Sequence, residues 1–130
     1  MEITVSTERA RVPVTVMHIA GNIDSITHEQ FQTKAHELIA AGTRHILVDL
    51  TRSPFVSSAG LRALHDIFKK LRTLAAEADP NSTPPVPGTH KSPHLKLLNL
   101  SPELQTAFNL SGFHLFIETF NDKPTALASF

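Results

Sequence analysis

Ser57 and Ser58 are the side chains best placed in this sequence to do chemistry, because they lie where an apolar run gives way to a helical pattern. His45-Ile46-Leu47-Val48-Asp49-Leu50 reads as a strand covered on both faces of a parallel sheet. Beyond it, Leu61, Leu64, Phe68, Leu71 and Ala75 recur at spacings of three and four, one stripe of a helix whose N-cap is Ser57 or Ser58. A hydroxyl is therefore held at the positive end of a helix. Capping is the ordinary use of such a serine. The surrounding Ser57-Ser58-Ala59-Gly60 lacks the glycine that precedes the serine of a nucleophile elbow, and no glycine-rich phosphate loop occurs elsewhere. An enzyme is not expected.

Asp24 and Asp49 are the next candidates. An aspartate entering a helix usually satisfies backbone amides, which is the expectation for Asp24. Asp49 lies within the buried strand pattern and is expected either to make a structural hydrogen bond or to help hold the serine turn. The eight histidines suggest metal binding by number only. His28 and His36 are eight apart on one predicted helix, His90 and His94 are separated by a proline, and no His-Glu-x-x-His pattern or cysteine accompanies them. Neither a metal nor a cofactor is expected.

The elements that position these groups are legible in outline. Ile3 to Ser6 and Val12 to Ile19 alternate as an antiparallel hairpin, with Thr7 to Ala10 as its turn. Thr27 and Gln30 have capping-box spacing and Ile26 can staple onto Phe31, so a helix follows with Phe31, Ala35 and Leu38 inward and Gly42 as its stop. After a strand over Leu95 to Leu100, Ser101 caps a third helix with Pro102 in its first turn, Leu104 and Phe108 inward and Gly112 at its end. A last strand is predicted over Phe113 to Thr119, then a short tail. Alternating strands and helices imply right-handed parallel crossovers, with the opening hairpin adding an antiparallel neighbour. The loops leaving the strands then share one carboxyl edge, which brings together Asn22 to Asp24, Ser57-Ser58 and Asn99 to Ser101.

Composition narrows the class. The 130 residues have room for one domain, with 12 basic residues balancing 12 acidic ones. Binding to nucleic acid through a basic face is disfavoured, since it depends on clustered Lys and Arg displacing counterions from phosphates. Membrane insertion is not expected either, because no apolar run approaches the ~20 residues of a span, and Met1-Glu2-Ile3-Thr4 does not open a signal peptide. The absence of cysteine fits the cytoplasm. Residues 78 to 93 hold five of the nine prolines and read as an exposed insertion within a single domain spanning 1 to 130.

Several of these pieces resemble one family. Gly21-Asn22-Ile23-Asp24, Val48-Asp49-Leu50 with Ser57-Ser58-Ala59-Gly60-Leu61, Leu97-Leu98-Asn99-Leu100-Ser101-Pro102 and Leu110-Ser111-Gly112-Phe113 resemble, in order and separation, the motifs of the STAS domain. The domain is named for sulphate transporters and anti-sigma factor antagonists. The resemblance implies an α/β fold with a mixed, mainly parallel sheet and helices packed on it. It also implies a binding module similar to single-domain bacterial anti-sigma factor antagonists, which capture an anti-sigma factor or related serine kinase and are switched by phosphorylation. Aligned on Gly60-Leu61, Ser58 falls at the phosphorylated position, with Ser57 as the alternate. The contact surface carried over comprises Asn22, Asp24, Ser25, Ser57, Ser58, Ala59, Gly60 and Arg62. One departure stands out: phosphorylated members commonly carry aspartate where this chain has Ser57. The alternative within the resemblance is a non-switching subunit of a transport or signalling assembly.

Overall fold

A computed structural model describes residues 1–78 and 91–130. Five strands form one sheet in the order β1-β2-β3-β4-β5, with β1 Glu2–Arg9, β2 Pro13–Ala20, β3 Ile46–Arg52, β4 Leu95–Leu98 and β5 Glu118–Phe120. The first pair is antiparallel and the remaining three are parallel. The helices are α1 His28–Ala40, α2 Ser58–Ala78, α3 Pro102–Ser111 and α4 Lys123–Ala128. This is the expected mixed α/β architecture, with a helix in each connection between the parallel strands, as right-handed crossovers require.

The sheet has two unequal faces because side chains alternate along each strand. Met17, Ile19, Val48, Leu50, Leu95 and Leu97 point toward α1, α2 and α3, where Phe31, Phe68 and Phe108 complete the main core. Val14, Val16, Leu47 and Leu98 point the other way and pack with Ala126 and Phe130 around α4. Burial on α1 follows Phe31, Ala35 and Ile39, with Leu38 only partly buried at the margin. On α2 it follows Gly60, Ala63, Leu64, Ile67, Phe68 and Leu71, an amphipathic stripe of the expected spacing.

Several boundaries differ from those read in the sequence. Arg9 pairs with Pro13, so β1 runs through the stretch expected to turn, and the reversal is made at Ala10, whose N–H donates to Val12 O at 3.2 Å. The capping box at Thr27 and Gln30 does not form, because the Thr27 hydroxyl faces back to Asn22 and Asp24. Ile26 makes no staple and is 86% exposed. The predicted last strand is divided: a 3-10 turn at Phe113–Leu115 follows Gly112, whose φ is 82°, and only Glu118–Phe120 joins the sheet. The tail contains α4, capped by Asp122 accepting Thr125 N–H at 2.9 Å. The strand at Leu95 stops at Leu98 because Asn99 takes φ 60°. Most of the proline-rich insertion lies outside the described residues. Its last part is anchored, since Ser92 is buried, donates its N–H to Phe116 O at 2.7 Å and accepts His94 and Leu95 N–H with its hydroxyl.

Candidate functional site

The carboxyl edge of the sheet is held by backbone hydrogen bonds between loops. Gly21 N–H donates to Arg52 O at 3.0 Å, Ile23 N–H to Phe55 O at 3.1 Å, and Ser57 N–H to Ile23 O at 2.8 Å. Ile23 and Val56 thereby form an isolated parallel bridge beyond the ends of β2 and β3. The third loop joins through side chains: Ser101 donates to Pro54 O at 2.8 Å while capping Leu104 N–H at 3.1 Å, and Asn99 Nδ2 donates to Thr51 Oγ1 at 2.8 Å. The three expected segments thus share one edge.

Within this edge the two serines have different tasks. Ser57 is the cap of α2: its carbonyl accepts Leu61 N–H at 2.9 Å and its hydroxyl accepts Gly60 N–H at a long 3.4 Å. Ser58 is the first residue of the helix and is exposed, and its hydroxyl has no hydrogen bond among the described residues. The first turn of α2 holds no acidic side chain to offset its positive end. Ala59 is half-buried and Arg62 is exposed one turn further along. Gly60, expected on the contact surface, is buried instead and contributes by close packing. A Cβ there would lie 2.5 Å from Val56 Cγ1 and 2.9 Å from both Ile23 Cγ2 and Ile23 O.

Asp24 holds its own loop. Its Oδ1 accepts Ile26 N–H at 2.9 Å and Thr27 N–H at 3.0 Å, while its N–H donates to Thr27 Oγ1 at 2.9 Å. Those backbone donors keep its carboxyl below the usual aspartate range. Asn22 and Ser25 are exposed on either side of it. Asp49 does not reach the serine turn. It lies on the α4 face of the sheet, bonded to His18 Nδ1 at 3.0 Å and to the N–H and hydroxyl of Thr51. Its contribution to the site passes through Thr51 to Asn99.

Beside the serine turn, α1 and α2 enclose an open groove of about 540 Å³ lined by Ser25, His28, Gln32, Ala59, Arg62 and Asp66 among others. Its far end is closed by Asp66, which accepts from Gln32 Nε2 at 2.6 Å and lies 3.2 Å from His36 Nε2. Two apolar residues missed in the sequence complete the surface. Ile26, three positions after the Ile23 bridge, and Phe55, just before Val56, are 86% and 53% exposed. Their signal was an isolated large apolar residue within a polar loop, which periodicity reads as core. Among the described residues no three His, Cys, Asp or Glu side chains group as a metal site.

Residues 5–78, more than half of the chain, match the family model described as the STAS domain. The chain belongs to the STAS domain family. It is similar to BtrV of Bordetella bronchiseptica, a protein named as a candidate anti-sigma factor antagonist, at 28% identity over 112 residues covering 86% of this chain and 82% of that protein. Two solved structures share the STAS fold at lower identity. An anti-sigma factor antagonist from Mycobacterium paratuberculosis gives a TM-score of 0.71 at 18% identity, covering 98% of this chain and 93% of the other. The Bacillus cell fate determinant SpoIIAA in its phosphorylated form gives 0.63 at 18% identity, covering 96% of each. The serine turn of this STAS domain therefore stands at the carboxyl edge of a fold shared with anti-sigma factor antagonists. No helix among the described residues is long and apolar enough to cross a membrane.

Proposed function

We propose that this chain is a cytoplasmic regulatory module that captures an anti-sigma factor or related serine kinase through the serine turn, and that phosphorylation of Ser58 releases the partner. The observation that carries this reading is the division of labour between the two serines. Ser57 caps α2, which leaves the exposed Ser58 hydroxyl with no bond among the described residues at a helix end that can accommodate a phosphate. The chemistry needs no base from this chain, because a kinase brings its own and transfers the γ-phosphoryl group of ATP to the serine oxygen. The product adds about −1.5 to −2 charge at the turn. Asn22, Asp24, Ser25 and Arg62 form the polar part of the contact surface, Ala59 lies beside them, and Ile26 and Phe55 supply apolar anchors of the kind that dominate binding energy. The names of BtrV and of the Mycobacterium paratuberculosis protein support the antagonist class, and the phosphorylated form in which SpoIIAA was solved supports the switch.

The second reading, a non-switching subunit of a transport or signalling assembly, is favoured by one observation: Ser57 stands where phosphorylated relatives commonly carry a carboxylate. Incubation with candidate neighbouring serine kinases and ATP, followed by phosphosite mapping and calorimetry, separates the two. The expected result is modification at Ser58 and an affinity at least tenfold lower for the phosphorylated chain, with Ser58→Ala binding normally and resisting modification. Equal affinity of both forms would remove the switch, and modification confined to Ser57 would move the site.

A further inference from the structure

The α4 face of the sheet carries a second polar constellation, separate from the serine turn. Ser6, His18 and Asp49 come from three adjacent strands, with Thr4, His18 and Asp49 in one register row and Ser6 two residues along β1. His18 Nε2 lies 3.0 Å from Ser6 Oγ, and His18 Nδ1 lies 3.0 Å from Asp49 Oδ2. We propose that these residues act as nucleophile, base and orienting carboxylate, and that Ser6 accepts acyl groups from small activated esters.

The connectivity is what gives a serine nucleophilic character. An ionised Asp49 places the imidazole proton on Nδ1 and leaves the Nε2 lone pair facing the Ser6 hydroxyl. Burial of Asp49 raises its pKa, but the Thr51 hydroxyl and N–H, with His18, outweigh it and hold the carboxyl below the usual range. The Thr51 bonds also occupy Oδ1, so the carboxylate is fixed with Oδ2 toward His18. Access is open. The His18 and Asp49 side chains keep 34% and 18% of their exposure, and β1 is an edge strand. A purely structural cross-strand pair would be served equally by two threonines and does not require this order of three groups.

In the reaction Ser6 Oγ attacks the ester carbonyl carbon while His18 Nε2 takes the hydroxyl proton. The bond from that carbon to the leaving oxygen then breaks, and the proton passes to the departing alcohol. The products are O-acyl-Ser6 and free alcohol. General base assistance of this kind contributes about 10² to 10⁴-fold. The groups facing His18 are Ser6 from β1 and Asp49 from β3. On the same face α4 brings Lys123, which is paired with Glu8 at 3.2 Å.

The test is incubation of the full chain with p-nitrophenyl acetate, with release of nitrophenolate followed by absorbance and the acetyl group located by mass spectrometry. One acetyl on Ser6 is expected, and it should be absent in Ser6→Ala. His18→Gln should slow the reaction at Ser6 at least a hundredfold. Asp49 acts as a positioning residue through His18. Asp49→Asn should therefore remove most of the rate at Ser6, and Asp49→Glu, which keeps the carboxylate, should restore part of it. Thermal unfolding of each variant confirms that it is folded. Acetylation that misses Ser6, or a rate at Ser6 unchanged in folded His18→Gln, would overturn the proposal.

Discussion

Gly60→Ala tests how the serine turn is built, because two familiar effects push its stability in opposite directions. In the first turn of α2 an alanine is favoured over glycine by about 1 kcal/mol from helix propensity alone. The added methyl would lie 2.5 Å from Val56 Cγ1, a side-chain atom that can move, but also 2.9 Å from Ile23 O, which is backbone. That carbonyl accepts Ser57 N–H at 2.8 Å, so relief of the clash must separate the cap residue from the Asn22 to Asp24 loop. Overpacking costs about 1 to 3 kcal/mol, and a strained buried hydrogen bond adds about 0.5 to 1.5 kcal/mol. After the propensity gain, a net destabilisation of about 0.5 to 3.5 kcal/mol remains. For a chain of this size that is a fall of about 2 to 13 °C in unfolding temperature, measured by calorimetry. A midpoint equal to or above that of the parent would refute the close approach of α2 to the Ile23 bridge, and with it the account of how Ser58 is presented.

Phe68 is 2% exposed within the main core, so Phe68→Ala should cost about 3 to 5 kcal/mol in urea unfolding, and a loss below 1 kcal/mol would mean the α2 face is misassigned. His45 and His94, which precede β3 and β4, have rings 5.1 Å apart. Burial lowers the pKa of both; at His45 the neighbouring His94 and Lys96 lower it further. The unfolded chain therefore takes up protons first as pH falls below the ordinary 6.5, and stability should decline from there downward. Replacing both with glutamine should flatten the dependence of unfolding temperature on pH between 7 and about 5.5; an unchanged slope would assign it elsewhere.

Local rules carried the sequence reading where the determinant was local. Ser101, Pro102 and Gly112 bound α3 as expected because cap, first-turn proline and left-handed stop each act within a few residues. The run from Ile46 to Leu50 was legible because both faces of β3 are covered. The segment from Phe113 was not, since alternating apolar residues there pack against the core from a 3-10 turn and only three residues reach the sheet. Six-residue α4 is too short to show periodicity, although Asp122 and Pro124 marked its start. At the site, the serine turn and the shared edge could be placed from topology. The outward turn of Ile26 could not, because it depends on the Asp24 carboxylate taking the amides of residues 26 and 27. The direction of Asp49 depends on His18, which is distant in sequence.

The backbone bonds that join Ile23 to Phe55 and Ser57 also bear on how quickly and at what entropic cost the edge can meet another surface. A contact surface already pinned to the sheet loses little freedom on docking, so encounter should resemble rigid-body association, with partner discrimination expressed in residence time. The same pinning restricts what a covalent charge at Ser58 can do. It cannot unfold the loop without opening the parallel bridge, so the modified and unmodified chains should share one backbone, and the amides of Ile23 and Ser57 should stay protected from solvent deuterium in both.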